Sequence, residues 1–392
     1  MKKTGSSLVV LALALAFVLS ACAPAATPTS TPTKAPAAAT TAPAQAPGAA
    51  ISAPTKAPAA AATKASLPSK LEFATHAVGS VFNAIGSGIG KVASDRSGMG
   101  VTVTPTGGPP AWVPGLNSNG SPDIGIINTF ELWQAYSGKI APEAIPGDPR
   151  TKAPYTPNKN IRVLMMGTNN RAGLLVRADS PIKTMKDIKG KNFTWGFQSF
   201  PANIPVGLSA LANAGLQLSD MKQVQVPEVT AGVQALMEGR AEVAIAAVGM
   251  PAVTEADAKV GVRFLPYSED PKDVKAAQAV MPSGKVDLEK PGESGIKVNT
   301  PIWSYPISVV GSTHMSDDAA YALVKAWWDN YKELEPIHAQ LVGWAPKVFV
   351  QDVATVPFHP GAIKFYKEKG VWGAKQDEMQ ASLLKDELPF LK

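Results

Sequence analysis

The chain has 392 residues, 45% of them hydrophobic and 17% charged, and its 37 Lys and Arg exceed its 31 Asp and Glu for a formal charge of +6. The two signs are interspersed, with no basic block and no basic stripe interleaved with aromatics, so nucleic acid is excluded as an expected partner. A single cysteine excludes a disulfide framework.

The N-terminal stretch gives the address. Lys2 and Lys3 form a positive end, residues 8–19 (LVVLALALAFVL) are unbroken apolar, and Leu19-Ser20-Ala21-Cys22 follows. An apolar run of this length is short for a bilayer and has the proportions of a secretory signal. Cys22 sits where bacterial lipoproteins carry the cysteine that is acylated and becomes the mature N-terminus. Residues 1–21 are then a signal peptide, and the protein is expected outside the cytoplasm, anchored to the cell membrane by lipid on Cys22. An ordinary signal peptide with a coincidental cysteine and an uncleaved anchor helix are the other readings. Residues 22–68 follow as a tether of Ala, Pro, Thr and Ser, with PTKAPAAA at 32–39 and again at 54–61. Frequent proline blocks helix propagation there. In the extended limit of about 3.1 Å per residue the tether reaches roughly 130 Å.

The body alternates strands and helices. LEFAT (71–75) reads as a strand, 80–94 as a helix, VTVTPT (101–106) as a strand ending in a Gly-Gly-Pro-Pro turn, and DIGIIN (123–128) as a strand leading into the helix TFELWQAY. Residues 140–160 read as a surface loop. Strands follow at 172–178, 193–197, 223–227, 241–249, 262–267 and 306–311, with helices at 203–214, 229–238, 252–259, 316–331, 333–341, 359–369 and 374–386 and a short one from Thr184 or Met185. The stretch 281–303 has no periodicity. This βα rhythm predicts an α/β protein with parallel or mixed sheets in two lobes and a helical C-terminal tail. The lobes are expected as 69–176, then 177–304, with 305–392 returning to the first.

No catalytic constellation is legible. The cysteine is spent at the membrane. His76, His314, His338 and His359 lack metal-ligand spacing, so neither metal nor cofactor is expected. GSGIGKV (86–92) fails the spacing of a phosphate loop, and no GxGxxG stands at a strand–helix turn. The chain is read as a non-enzyme.

Signals for anion capture are better. Gly79 and Ser80 open the first helix, Thr106, Gly107 and Gly108 follow the second strand, and Asn128 and Thr129 follow the third. Helix starts carry unpaired N–H groups and the positive end of the macrodipole, and ligands of open α/β sheets sit beyond such strand ends. The same residue types are also ordinary helix caps. Arg171 is the candidate counter-charge for a carboxylate, whereas Arg177 beside Asp179 reads as a structural ion pair. Ser199 and Asn203 stand at a helix start of the second lobe, and Trp195 and Tyr305 are candidate cleft aromatics.

Across about residues 71–370 the chain resembles the TAXI-type solute receptors of TRAP transporters. The segments that carry the resemblance are ATHAVGSVFNAIGSGIGKV, VTVTPTGG, DIGIINTFELWQAYSG, LLVRADSPIKTMKDIKGK and VTAGVQALMEGRAEVAIAAVGMP, with YALVKAWWDNYKEL and FHPGAIKFYKEKGVW later. The resemblance implies a type II periplasmic-binding-protein clamshell that closes on a small organic anion, a carboxylate or acidic amino acid, and delivers it to a TRAP-type membrane permease. It implies contacts from Val78 through Phe82, from Thr106 to Gly108, from Asn128 to Phe130, and from the 195–204 segment, Gly249 and Tyr305. His76 and Val78 replace the usual glycines of the first loop, and GFQSFPANIP replaces a run of small residues, which makes an aromatic carboxylate a rival ligand. His76 is either a ligand donor or a satisfied structural histidine. A ligand-binding input protein for a sensor kinase and a non-binding structural surface lipoprotein stay open as alternatives.

Overall fold

A computed structural model describes residues 67–140, 152–199, 201–281 and 283–391. Cys22 and the Pro/Ala/Thr tether as far as residue 66 lie outside the described residues. Strand β1 (Lys70–Thr75) leads to α1 (Val81–Arg96), β2 (Gly100–Pro105), the short α2 (Val113–Asn117), β3 (Ile124–Asn128) and α3 (Thr129–Ser137). β1 pairs in parallel with both β2 and β3. The helices between these strands bury Ile85 and Ile89 of α1 and Leu116 of α2, the βαβ arrangement that the alternating pattern predicts.

The long strand β4 (Ile161–Arg177) comes next, followed by β5 (Asn192–Gly196), α4 (Asn203–Asn213), β6 (Lys222–Val226), α5 (Val229–Met237), β7 (Ala244–Ala247), α6 (Pro251–Val260) and β8 (Val262–Phe264). Then come α7 (Pro271–Val280), β9 (Lys285–Glu289) and a second long strand, β10 (Thr300–Ser312). The chain ends in α8 (Asp317–Asp329), α9 (Pro346–Phe349), α10 (Pro360–Glu368) and α11 (Ala374–Leu383). No described helix is long and apolar enough to cross a membrane.

The two lobes share one sheet. Its order is β2-β1-β3-β10-β4-β7, with β8 beside β4 and β9 beside β10. The last part of β10 (Ile307–Val310) pairs antiparallel with β3 in the first lobe, and its first part (Thr300–Ser304) pairs with β9 in the second. β4 does the same, with Ala172–Leu175 turning to β7. β5 and β6 pair in parallel, and a bridge from Phe193 to Val243 joins them to the start of β7. The protein is therefore a two-lobed mixed α/β fold whose described residues form one compact unit.

Where the two strands pass between the lobes, their pairing is irregular. The register of β10 against β4 shifts between Pro306 and Ser308. Pro306 has no N–H to give to the ladder, which is the local reason for a break there. Facing it, β4 runs through Gly167, Thr168, Asn169 and Asn170, a polar interruption between two apolar runs.

That interruption explains one departure from the sequence reading. Residues 161–171, for which no element was expected, form the first half of β4, because the strand is buried on both faces and continues across the polar patch. Residues 281–303 contain β9, whose alternating edge pattern is too short to register, and α7 precedes it. The helix expected at 333–341 is instead two separate 3₁₀ turns, Tyr331–Glu333 and Ala339–Leu341, with Pro336 between them.

Candidate functional site

The lobes meet along one seam. The Gly79 carbonyl, just before α1, accepts a hydrogen bond from the Ala252 N–H of α6 at 3.2 Å. Gly107 packs so closely on Ser199 that an added Cβ would lie 3.0 Å from the serine Cβ.

Inside this seam is a cavity of about 10 Å³, room for about one water. Ser80, Val81 and Phe82 border it at the opening of α1, Asn203 at the opening of α4 and Val229 at the opening of α5. Asn170 and Ala172 of β4 and Tyr305 of β10 form its floor, and Ala246, Ala247 and Met250 close the remaining side. Ser80 caps α1, its Oγ accepting from the Asn83 N–H at 3.1 Å. The first-turn N–H groups of such a helix have no partner within it. α5 differs, because the Glu228 carboxylate already accepts from the N–H groups of Thr230 and Ala231.

The polar groups of the cavity are few and placed to be used. Asn170 Nδ2 donates to Tyr305 Oη at 2.7 Å, which leaves Asn170 Oδ1 buried without a hydrogen bond. Asn203 is 4% exposed and its Nδ2 is likewise buried without a partner. Burial raises the Tyr305 hydroxyl well above its ordinary range, so it stays a neutral donor and acceptor. None of the lining residues carries a charged side chain. An anion here would be met by helix N–H groups, a hydroxyl and an amide rather than by a cation.

Of the residues anticipated from sequence, the cavity gathers Ser80, Phe82, Asn203 and Tyr305. Gly79, Gly107 and Ser199 lie on the seam. Val78 is 72% exposed, on the outer side. His76 lies behind Phe82, stacked on it with ring centroids 4.3 Å apart. Burial pulls its pKa down to about 3, so it is a neutral packing group there. Thr106 ties the end of β2 to β1 through Thr75 O, and Gly108 precedes a 3₁₀ turn at 109–111. Asn128 caps α3 by accepting from the Glu131 N–H, Thr129 Oγ1 donates to Pro306 O, and Phe130 stacks against Trp133. Trp195 packs in the second lobe between Phe193 and Phe197. Gly249 lies against Gln340, with no space for a Cβ.

Arg171 is placed elsewhere. Its guanidinium donates to both oxygens of Glu289 at 2.7 Å and to Gln340 Oε1 at 2.6 Å, in a separate cavity of about 500 Å³ behind the strands that join the lobes. Alternation along β4 puts neighbours on opposite faces, so Asn170 faces the seam and Arg171 faces away. Arg171→Ala is expected to cost roughly 1–3 kcal/mol of stability by stranding a mostly buried Glu289, and to change ligand affinity less than twofold. Urea unfolding alongside titration checks both. Arg177 pairs with Asp179 at 3.2 Å.

Sequence reasoning passed over Asn170, Ala172, Val229, Ala246, Ala247 and Met250. The available signal was strand alternation, which sets Asn170 and Arg171 on opposite faces of one strand. Among the described residues no group of three or more His, Cys, Asp or Glu could hold a metal ion.

The seam between the lobes thus encloses a small, mostly apolar cavity at the openings of α1, α4 and α5. The model of the NMT1-like family matches residues 73–370, and the chain belongs to that family. Among solved structures, a periplasmic transporter is similar at 15% identity and a TM-score of 0.47, over 82% of this chain and 97% of that one. A binding protein component of the phosphonate ABC transporter of Pseudomonas aeruginosa is similar at 13% identity and a TM-score of 0.45, over 82% and 98%. The periplasmic aliphatic sulphonate binding protein of Escherichia coli is similar at 15% identity and a TM-score of 0.40, over 80% and 92%.

Proposed function

We propose that the protein is an extracytoplasmic solute receptor, anchored by lipid on Cys22, that closes on a small organic anion and delivers it to a TRAP-type membrane permease. The observation that carries this reading is the seam cavity, where Asn203 Nδ2 and Asn170 Oδ1 are buried without partners beside the openings of α1 and α4. Buried polar groups cost free energy unless something bonds to them. A carboxylate seated on the Asn203 amide, the Ser80 hydroxyl and the helix N–H groups exchanges its water for charge-assisted bonds. Asn170 Oδ1 favours a ligand that also presents a donor. Phe82, Val229 and Met250 supply apolar wall for the remainder of a carboxylate, aliphatic or aromatic.

We place the hinge within the long strands, near Gly167–Arg171 of β4 and Ser304–Ile307 of β10, so that the first lobe comprises the residues before and after these points. At about 10 Å³ the cavity as it stands has room for no more than about one water, so capture requires the lobes to part and then to close less tightly around the ligand than they do here. The TAXI resemblance supports a TRAP permease as the recipient.

Native mass spectrometry of the purified full chain tests the reading, followed by isothermal titration with the acid released on unfolding. One small acid per chain, rebinding at micromolar or tighter affinity, is the expected result. A chain that retains no acid and ignores dicarboxylates, acidic amino acids and aromatic acids overturns it. Mass spectrometry of the mature protein is expected to find residues 1–21 removed and Cys22 acylated. An unmodified Cys22 overturns the anchor.

A further inference from the structure

The 3₁₀ turn Ala339–Leu341 belongs to the C-terminal segment and rides on the first lobe. Leu341 packs so closely on α1 that a Cβ on Gly88 would lie 2.3 Å from its Cδ1. Just upstream, Glu333 accepts from Arg96 at the end of α1 at 2.7 Å. The neighbouring Gln340 reaches the other way and is 4% exposed. Its Nε2 donates to Glu293 Oε1 at 3.1 Å. Its amide also lies on Gly249, where a Cβ would stand 2.1 Å from Nε2. Both of these partners belong to the second lobe. Gly249 joins β7 to α6, and the loop that carries Glu293 is tied to α6 by Ser294 Oγ and Thr254 Oγ1, 3.2 Å apart. The next residue of that loop, Gly295, accepts through its carbonyl from the Phe264 N–H of β8 at 3.1 Å.

The amide of Gln340 has one orientation available. Its Oε1 accepts from Arg171 Nη2 at 2.6 Å. A guanidinium only donates and a carboxylate only accepts, so the amide must turn its oxygen to Arg171 and its nitrogen to Glu293. Arg171 lies within the hinge segment of β4, so that bond is near the axis and turns little with the lobes. Glu293 and Gly249 lie away from the axis and travel with the second lobe. A 3.1 Å bond and a packed glycine leave no slack for that movement. Gly249 has φ +75° as well as no Cβ, so the backbone conformation and the close approach both call for glycine.

On the reading of the long strands as a hinge, we propose that Gln340 is the clasp of the closed form. Its bond to Glu293 and its seat on Gly249 are made with the lobes together and lost when they part, so this one side chain sets the closed-to-open ratio. A hydrogen bond to a charged group, at the low end of its usual worth, shifts such a ratio about tenfold.

Pulsed electron paramagnetic resonance on the full chain tests this without any ligand. The parent is Cys22→Ser carrying spin labels at Lys91→Cys on α1 and Lys259→Cys on α6, positions 63% and 61% exposed in opposite lobes. Gln340→Ala is expected to lower the ratio of the shorter, closed distance to the longer one about tenfold. Gln340→Glu is expected to lower it at least as far, because two carboxylates then face each other. Adding Glu293→Gln to Gln340→Glu exchanges amide and carboxylate and keeps an acceptor for Arg171. That double variant is expected to return to within about twofold of the parent, a rescue that a merely structural role would not give. Glu293→Ala, on the loop before β10, is expected to match Gln340→Ala and keeps the test available if a Gln340 variant does not fold. A ratio within about twofold of the parent in Gln340→Ala or Glu293→Ala, or a double variant no better than Gln340→Glu alone, overturns the proposal. No anion takes part, so a chain that retains no acid would sink the receptor reading and leave the clasp standing. A ratio indifferent to Gln340 would sink the clasp and leave the receptor reading standing.

Discussion

Asn203→Leu is expected to weaken capture of the retained acid by about 10- to 100-fold, while leaving the ligand-free chain as stable as the parent or about 1 kcal/mol more stable. The two effects have one cause. Asn203 Nδ2 is buried and bonds to nothing in the described protein, so the folded state bears the desolvation of a donor without the bond that would offset it. Leucine keeps the branched shape and has no donor, which removes that cost, and its greater bulk beside a small cavity offsets part of the gain. The ligand loses its amide partner in the same step, and a bond to a charged group is worth about 1.5–3 kcal/mol. Titration calorimetry and urea unfolding on one preparation separate the outcomes. Loss of both affinity and stability would make Asn203 a structural residue. Affinity unchanged within twofold would remove it from the site.

The parts of this arrangement that were legible in sequence are those written locally. Ser80 before an apolar-periodic run announces the cap and opening of α1, and the placement of Asn203 at the start of α4 was readable from SFPANIP. Strands β1 to β3 and their connecting helices follow from period and turn residues alone. What was not legible depends on pairing across long separations. Arg171 attracted attention because it is the charged residue beside an apolar run, but its face is set by the register of β4 against β10 and β7, which puts Asn170 on the seam. Glu131 reads as one acid in an amphipathic helix, TFELWQAY. Its burial is decided by Tyr155, further along the chain, whose hydroxyl donates to it. The first half of β4 was hidden for a related reason, since a strand covered on both faces tolerates a polar centre when facing strands and the C-terminal segment satisfy it. Asn169 Nδ2 donates to Ser304 Oγ at 3.1 Å, and Gly167 O accepts from Gln351 Nε2 at 2.8 Å.

Gly167 is where a small change is expected to do the most damage. A Cβ there would stand 2.2 Å from Cη2 of Trp344, with Cζ2 and Cζ3 at 2.3 and 2.4 Å. Trp344 is 0% exposed, so its indole has no open side into which it can swing. Overpacking of this kind costs about 1–3 kcal/mol, occasionally more, and Gly167→Ala is placed at or above the upper end because three ring atoms clash at once. The backbone itself is not the obstacle, for Gly167 sits in an extended strand that alanine can adopt. If the clash with the ring is the cause, shrinking the ring should relieve it. Trp344→Phe alone is expected to lose about 1–2 kcal/mol through lost packing. In the double variant the two losses should fail to add, with a favourable coupling of at least about 1 kcal/mol. Unfolding of the four chains of this cycle measures it directly. Additive losses would mean that alanine acts through the hinge strand itself. Ligand affinity would then be expected to fall with stability, because the same residue lies where β4 passes from one lobe to the other.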